Sequence, residues 1–156
     1  MTSRLGAFLR RALGRFLRET IEDVVYRSHH IYGDASRVRI HQTANVNNAL
    51  FNTASGTITV GECSFMGHNV LLLTGTHDYH KRGIERQRSI PETGRDIRIG
   101  RGVWIGTNVT VLGPCDIGDN AVIAAHSLVN KDVRPNSIVG GVPAHELRTI
   151  ANEDAR

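Results

Sequence analysis

A branched aliphatic residue recurs at every sixth position between Ile99 and Arg134. A period of six fits neither an α-helix, with about 3.6 residues per turn, nor an alternating strand, with a period of about two. It is typical of a chain that folds around a triangular prism, with short strands on flat faces and a corner every sixth residue. The aliphatic positions are Ile99, Ile105, Val111, Ile117, Ile123 and Val129, and the small or medium residues four positions after them are Val103, Val109, Cys115, Ala121, Ser127 and Val133.

Three such units close one coil, so residues 18 positions apart are expected to stack between coils. The coils would then lie about 4.8 Å apart, the spacing of hydrogen-bonded strands. Gly100, Gly106 and Gly118 directly follow aliphatic positions, and we expect them to supply the unusual backbone angles of tight corners. The predicted stacks are Ile99 on Ile117, Ile105 on Ile123 and Val111 on Val129.

The repeat is less regular in the first half of the chain. Ile40 and Val46 keep the period, but Asn52 stands where an aliphatic residue is expected, and the period restarts at Val60. Residues 75–96 then break the period with a polar, charged stretch. Because long loops between regular elements are usually functional, this interruption is a candidate site.

These patterns predict a mainly β protein with one repeat domain over residues 38–143, interrupted by the extended loop at 75–96. After Val133 we expect a final strand, a Gly-Gly-Val-Pro turn and a C-terminal tail at 144–156 with a short helix. The tail would cover the last coil, whose open strand edges otherwise invite aggregation.

The N-terminal segment, residues 1–30, has a different pattern. Residues 4–26 have the period of an amphipathic helix, with leucines and other apolar residues on one side and five arginines on the other. Two interpretations stay open. The helix caps the repeat domain or packs on a neighbouring subunit with its arginines solvated, or it contacts anionic lipid headgroups.

Composition agrees with a core of stacked aliphatic residues, since aromatic residues make up only 5% of the chain. The net charge of +4 and a pI of about 9.6 favour an anionic partner. We exclude nucleic acid, because the chain lacks a basic run interleaved with aromatic residues. Cys63 and Cys115 have no framework spacing and are expected to be reduced packing residues of a cytoplasmic protein. No apolar run has membrane-spanning length.

The block IGRGVWIGTNVTVLGPCDIGDNAVIAAHSLVNKDV, with IVGGVPA after it, resembles the hexapeptide-repeat acyltransferases. Within them it is most similar to the branch of galactoside/maltose acetyltransferases and polysaccharide O-acetyltransferases. The pieces SGTITVG, MGHNVLLLTGTHD and GRDIRIG resemble the capsule and lipopolysaccharide O-acetyltransferases. The resemblance spans about residues 38–150 and implies a left-handed parallel β-helix that forms a homotrimer, with active sites between subunits.

The same resemblance implies that His77, in the segment GTHDYH, is the catalytic base. A histidine suits this role because it titrates near neutral pH. His80 is a nearby competitor without the motif position, and Asp78 is a candidate to orient the His77 ring. Transfer is expected to be direct, without an acyl-enzyme, because neither cysteine has a histidine beside it in the sequence.

Asn47 matches the family's sugar-binding asparagine, although an asparagine that merely forms a turn is an equal alternative. The positions that match coenzyme A contacts are Thr107, Ala125, Lys131 and Arg148. Lys131 and Arg148 would supply positive charge for phosphates. The chain departs from the family pattern at three positions. It has Ala54 or Ser55 where the family has an acidic residue that binds the acceptor, Asn130 in place of the threonine before the lysine, and His145 in place of a second arginine in the tail.

We therefore expect an acetyl-CoA-dependent O-acetyltransferase that modifies a sugar hydroxyl on a surface polysaccharide or its lipid-linked precursor. The protein would be cytoplasmic, peripheral to the inner face of the membrane if residues 4–26 bind lipid, and would need no metal. Two alternatives stay open. One is a catalytically silent trimeric scaffold. The other is a zinc enzyme of the carbonic anhydrase type, whose metal would be bound by histidines such as His68, His77, His80 and His126.

Overall fold

The computed structural model of the protein describes residues 4–151, without the side chains of residues 4–7 and of Arg10. Residues 1–3 of the N-terminal segment and 152–156 of the tail therefore lie outside the described residues. The helices are α1 (Arg4–Glu22), a π-helical turn (Asp23–Arg27), a 3-10 turn (Ala35–Arg37) and α2 (Gly83–Arg88). The strands are β1 (His30–Tyr32), β2 (Val38–Ile40), β3 (Leu50–Asn52), β4 (Ile58–Val60), β5 (Phe65–Met66), β6 (Leu71–Leu73), β7 (Ile97–Ile99), β8 (Trp104–Ile105), β9 (Thr110–Leu112), β10 (Cys115–Ile117), β11 (Val122–Ile123), β12 (Leu128–Val129), β13 (Ser137–Gly140) and β14 (His145–Thr149).

The strands form three sheets that the chain visits in rotation. Sheet A has the order β1-β3-β6-β9-β12, sheet B the order β2-β4-β7-β10, and sheet C the order β5-β8-β11-β13-β14. All pairings are parallel except that of β13 with β14. The protein is thus mainly β, as the sequence predicts.

The predicted stacking of the second half is confirmed residue by residue. Ile117 pairs with Ile99, Ile123 with Ile105, and Val129 with Val111. In the first half the residue that enters sheet A is Phe51, which pairs with Leu72 and is completely buried. Phe51 lies five residues after Val46, whereas its partner Leu72 lies six residues after Met66. Because this corner is one residue shorter, Phe51 takes the inward position that the six-residue period assigns to Asn52.

The core lies inside the three sheets and is built from the inward positions of each strand. It contains apolar side chains from every sheet, including Phe51, Ile58, Leu72, Ile97 and Ile105, all with no exposed surface. Outward positions alternate with these along each strand, as the burial of β7 shows (buried, exposed, buried).

The expected role of the glycines at corners is wrong. Gly100, Gly106 and Gly118 do not have positive φ; that conformation falls on other corner residues, mostly asparagines such as Asn108 (φ 59°) and Asn120 (φ 57°). Asparagine tolerates the left-handed region better than other residues with a side chain. The glycines are instead required by close approach, since a Cβ at Gly106 would lie 2.6 Å from the backbone N of Ala125 in the next coil.

The two cysteines differ. Cys115 is buried in the core as predicted, and burial, followed by the neighbouring carboxylates of Asp132 and Asp116, raises the pKa of its thiol to about 12. The expectation that Cys63 is a packing residue is wrong, because it is exposed at a corner with φ 56°. Both are free thiols.

The expected C-terminal helix is also wrong: residues His145–Thr149 form β14, antiparallel to β13. The turn at residues 141–144 reverses the chain, and β14 then pairs with the edge strand β13 of sheet C. Arg134 donates from its Nε to a carboxylate oxygen of Glu146 at 3.1 Å, which holds β14 in place and lowers the pKa of Glu146. The expectation that the tail covers the last coil is confirmed, although a strand does so.

Helix α1 is present where the sequence predicts it, but it does not cap the sheets. Its described apolar side chains are exposed, among them Leu13 at 58% and Phe16 at 64%. In the π-helical turn after it, the backbone carbonyl of Val25 accepts a hydrogen bond from Nδ2 of Asn48 at 2.9 Å. Within residues 4–151, no helix is long and apolar enough to cross a membrane.

We predict that Gly106→Ala lowers the free energy of unfolding by about 1–3 kcal/mol, because the added methyl group forces two coils apart. Urea denaturation would measure this. Gly14→Ala is the matched control: a Cβ at Gly14 of α1 meets nothing within 4 Å, and alanine is the better helix former. Equal stability of Gly106→Ala and the wild type would contradict the prediction.

We predict one rapidly reacting thiol per folded chain at pH 8, that of Cys63. The thiol of Cys115 is buried and stays protonated there, since its pKa is about 12. Titration with an aromatic disulfide reagent should detect the second thiol only after unfolding. Rapid reaction of a folded Cys63→Ser variant would show that Cys115 is accessible, contrary to this prediction.

Candidate active site

The extended loop leaves the domain after β6 of sheet A and returns at β7 of sheet B, so it projects from the corner between these two sheets. It is a folded segment. Nε of Arg95 donates to the carbonyl of Thr74 at 2.9 Å, and the backbone N–H of Asp78 donates to the carbonyl of Ser89 at 3.0 Å. The loop also contains α2, a helix of six residues that the sequence analysis did not predict.

His77 lies at the start of this loop with its ring exposed. Its Nδ1 is 3.0 Å from the backbone carbonyl oxygen of Arg86 in α2. A carbonyl oxygen can only accept a hydrogen bond, so Nδ1 must carry the proton. The neutral ring therefore keeps the lone pair of Nε2 for an incoming proton.

Asp78, the candidate to orient the His77 ring, and His80, the competing base, both make contacts elsewhere in the loop. Asp78 does not orient the ring, contrary to that expectation, because its Oδ1 accepts from the backbone N–H of His80 at 3.0 Å and the ring is bound by Arg86. The ring of His80 packs on that of Tyr79, with centroids 4.2 Å apart. Of the two loop histidines, only His77 has a ring nitrogen held by a hydrogen bond to another described residue.

Thr107 and Ala125 are brought together by the fold. They occupy equivalent positions in consecutive coils, at the corner between sheets C and A, and both are exposed. The backbone N–H of His126 donates to the carbonyl of Thr107 at 3.0 Å. His68 has the same position one coil earlier, where its carbonyl accepts from Asn108 at 2.9 Å.

Lys131 and Arg148 lie elsewhere in the chain. Lys131 follows β12 at the corner between sheets A and B, where it borders a groove of about 510 Å³ with Arg98 and Asp116. Arg148 lies in β14 and pairs with Ile138 at the edge of sheet C. Both are exposed, and the salt bridges found among residues 4–151 include neither of them. A single chain thus distributes the predicted contacts over different corners.

Asn47 has the turn-forming role that the sequence left open. Its backbone is left-handed (φ 44°), its N–H donates to Oδ1 of Asn45 at 3.1 Å, and its Nδ2 donates to the carbonyl of Met66 at 2.7 Å. One of its two side-chain amide protons is therefore committed to the fold, and the other amide proton and Oδ1 are left for a ligand.

A ladder of side-chain hydrogen bonds, not predicted from the sequence, runs beside the row of Thr107 and Ala125. Nδ2 of Asn48 donates to Asn69 at 2.9 Å, Asn69 to Asn108 at 3.2 Å, and Asn108 to Nε2 of His126 at 3.3 Å. The signal was the repeated Gly-x-Asn after an inward residue, in MGHN and IGTN. This ladder stiffens the corner that carries the predicted cofactor contacts.

The outer face of sheet C is apolar. Phe65 and Trp104 stack with centroids 5.9 Å apart and planes inclined by 16°, and each is about half exposed (47% and 50%). Val122 and Ile138 continue this face on the next two strands. In the part of the chain that the structure describes, no group of three or more His, Cys, Asp or Glu side chains is arranged to hold a metal ion.

Residues 96–131 match the family model of the bacterial transferase hexapeptide (six repeats). The galactoside O-acetyltransferase of Escherichia coli is 34% identical over 134 residues, which are 86% of this chain and 62% of that protein. The chain thus spans less than two thirds of this relative's length.

Two solved structures share the fold. A galactoside acetyltransferase in complex with coenzyme A has 30% identity and a TM-score of 0.65, over 82% of this chain and 62% of the other. A hexapeptide-repeat acetyltransferase of Vibrio cholerae in complex with acetyl coenzyme A has 25% identity and a TM-score of 0.55, over 96% and 91%. The chain is thus similar to hexapeptide-repeat acetyltransferases in its repeat, in the sequence of its relatives and in its fold.

Proposed function

We propose that the protein is an acetyl-CoA-dependent O-acetyltransferase that transfers an acetyl group to a hydroxyl of a sugar, with His77 as general base. The observation that carries the proposal is the hydrogen bond from Nδ1 of His77 to the carbonyl of Arg86, which leaves Nε2 free. Relatives named as galactoside O-acetyltransferases support the reaction class.

In this reaction Nε2 of His77 takes the proton of the acceptor hydroxyl while its oxygen attacks the thioester carbonyl carbon. The C–O bond forms, the C–S bond breaks, and the proton on the ring passes to the leaving thiolate. Positioned base catalysis of this kind is worth about 10²–10⁴ in rate. The protonated, buried thiol of Cys115 is not a nucleophile at neutral pH. Cys63 is exposed but lies at the corner between sheets B and C, whereas the His77 loop projects from the corner between sheets A and B. Both observations favour direct transfer.

The donor site would use the exposed corner of Thr107 and Ala125. Gly67 and Gly106 precede two residues of this corner, His68 and Thr107, and the absence of side chains at these glycines lets consecutive coils approach closely there. Coenzyme A carries several phosphate charges, and Lys131 and Arg148 are exposed cations for them. Its thioester would bring the acetyl group to His77.

We also propose a homotrimer with a left-handed β-helix in each subunit. In one chain the His77 loop projects from the corner between sheets A and B, whereas Thr107 and Ala125 lie at the corner between sheets C and A. A neighbouring subunit would bring one chain's His77 to the other's corner. The exposed apolar face with Phe65 and Trp104 is consistent with burial in an assembly.

The acceptor is proposed to be a surface polysaccharide or its lipid-linked precursor, with Oδ1 of Asn47 as one acceptor contact. Helix α1 would lie on the anionic inner face of the membrane, close to a lipid-linked precursor. Its exposed apolar residues would enter the headgroup region, and Arg11, Arg15 and Arg18, which have no salt bridge to a described residue, would bind lipid phosphates. The enzyme would thus be cytoplasmic and peripheral to the membrane.

We expect His77→Asn to lower kcat for acetyl transfer by about 10²–10⁴ while acetyl-CoA still binds, because only the base is removed. Chromatography of released coenzyme A measures the rate, and calorimetry measures donor binding. His80→Asn is the matched control on the same loop and should keep its activity. Wild-type activity of His77→Asn would refute the base, and failure of the wild type to bind acetyl-CoA would favour a silent scaffold.

We expect Phe16→Glu to reduce binding of the full chain to vesicles of phosphatidylcholine and phosphatidylserine by about 10-fold or more, since burial of a phenylalanine is worth about 1.5–3 kcal/mol. Co-sedimentation measures binding, and pure phosphatidylcholine vesicles test the contribution of charge. Leu147→Glu, at an exposed apolar residue of β14, is the matched control. Unchanged binding of Phe16→Glu would show that α1 does not contact lipid.

A further inference from the structure

We propose that Arg86 is a positioning residue, which sets the tautomer and orientation of the His77 ring through both its backbone and its side chain. The inference rests on the proposed role of His77 as base. Arg86 does not touch the reacting atoms; it acts on the catalytic ring from the side opposite to Nε2.

The backbone contribution is the carbonyl of Arg86, which accepts the hydrogen bond from Nδ1 of His77 at 3.0 Å. The side-chain contribution is directed at the segment that follows His77. Nε of Arg86 donates to the carbonyl of Lys81 at 2.7 Å, and one of its terminal nitrogens donates to the carbonyl of Tyr79 at 3.2 Å. One residue thus binds the catalytic ring and the backbone two and four positions beyond it.

Helix α2 depends on such hydrogen bonds to keep its position. It has only six residues, no buried residue and no side-chain cap at its N-terminus. Helices this short are not stable on their own, and no packed face holds this one against the sheets. The guanidinium of Arg86 connects α2 to residues 79–81, and the hydrogen bond between Asp78 and Ser89 closes the loop on its other side.

The chemistry of the side chain suits this position. A guanidinium is permanently charged and has five donors in a rigid fork, so it can serve two carbonyl oxygens at once. A lysine has a single ammonium on a flexible stem and serves two separate carbonyls less well. Without the fork, the carbonyl of Arg86 would drift from Nδ1 and the neutral ring could take the other tautomer, with the proton on Nε2. That tautomer cannot accept the proton of the acceptor.

Three variants of the full chain test the proposal: Arg86→Gln, Arg86→Lys and the matched control Arg88→Gln. Arg88 lies on the same helix, and its side chain makes no hydrogen bond to the rest of residues 4–151. The first readout is steady-state kinetics. We expect Arg86→Gln to lower kcat by about 10- to 100-fold with little change in the KM for acetyl-CoA, because misplacement of a catalytic group slows the chemical step. Arg86→Lys should recover part of this loss, and Arg88→Gln should match the wild type.

The second readout is independent of activity. In protein labelled with ¹⁵N-histidine, the signals lost in His77→Asn identify the His77 ring, and its two nitrogen shifts report the tautomer. The wild type and Arg88→Gln should show the proton on Nδ1, and Arg86→Gln should show a mixture of tautomers. Circular dichroism and urea midpoints equal to those of the wild type would confirm that Arg86→Gln is folded.

A wild-type kcat in Arg86→Gln, or an unchanged His77 tautomer in that variant, would overturn the proposal. These outcomes differ from a failure of the proposed function. If His77→Asn were fully active, the base would be misassigned, and the tautomer measurement would still decide whether Arg86 positions the ring.

Discussion

The structure depends on backbone hydrogen bonds between successive coils. The backbone N–H of Gly67 donates to the carbonyl oxygen of Ile105 at 2.8 Å. In the same way Gly106 donates to the carbonyl of Ile123 at 2.8 Å, and Ala124 donates to that of Val139 at 2.9 Å. These bonds fix the distance between coils, so a side chain at a position such as Gly106 collides with the backbone of the next coil. The same spacing aligns Thr107 with Ala125 and stacks the asparagines beside them, which makes the predicted donor corner a consequence of the coil geometry.

A fold held between coils tolerates an insertion at a corner. Strand β4 pairs directly with β7, with Ile58 opposite Ile97, although the extended loop lies between them in the sequence. The loop therefore folds by its own contacts, and Arg95 and Asp78 tie it at its base. This separates the two tasks of the proposed enzyme, since the regular coils present the donor contacts and the inserted loop presents the base.

The N-terminal helix is attached rather than packed. Its described apolar side chains are exposed. The π-helical turn after it contacts the same corner as Thr107 and Ala125, in earlier coils: the carbonyl of Val25 accepts a hydrogen bond from Asn48, and the ring of Tyr26 meets that of His68 edge-on at 5.8 Å. The helix would thus hold the corner of Thr107 and Ala125 close to whatever surface its apolar side contacts. For an enzyme that modifies a lipid-linked sugar, such an attachment keeps the acceptor and the donor site together.

The sequence by itself determined the coil. Side chains such as Ile105 and Ile123 recur at the six-residue spacing with which the chain moves from one sheet to the next. Periodicity alone therefore places them inside and in register. It also marked the inserted loop and, through the family resemblance, His77. It did not determine which corner residues are left-handed, because that depends on the course of the backbone at each corner. It also did not determine where Phe51 enters the core, because the spacing varies in the first half of the repeat. Tertiary structure alone decided the strand at His145–Thr149, since its ladder exists only beside β13, and the partner of the His77 ring, since Arg86 reaches it only through the fold of the loop.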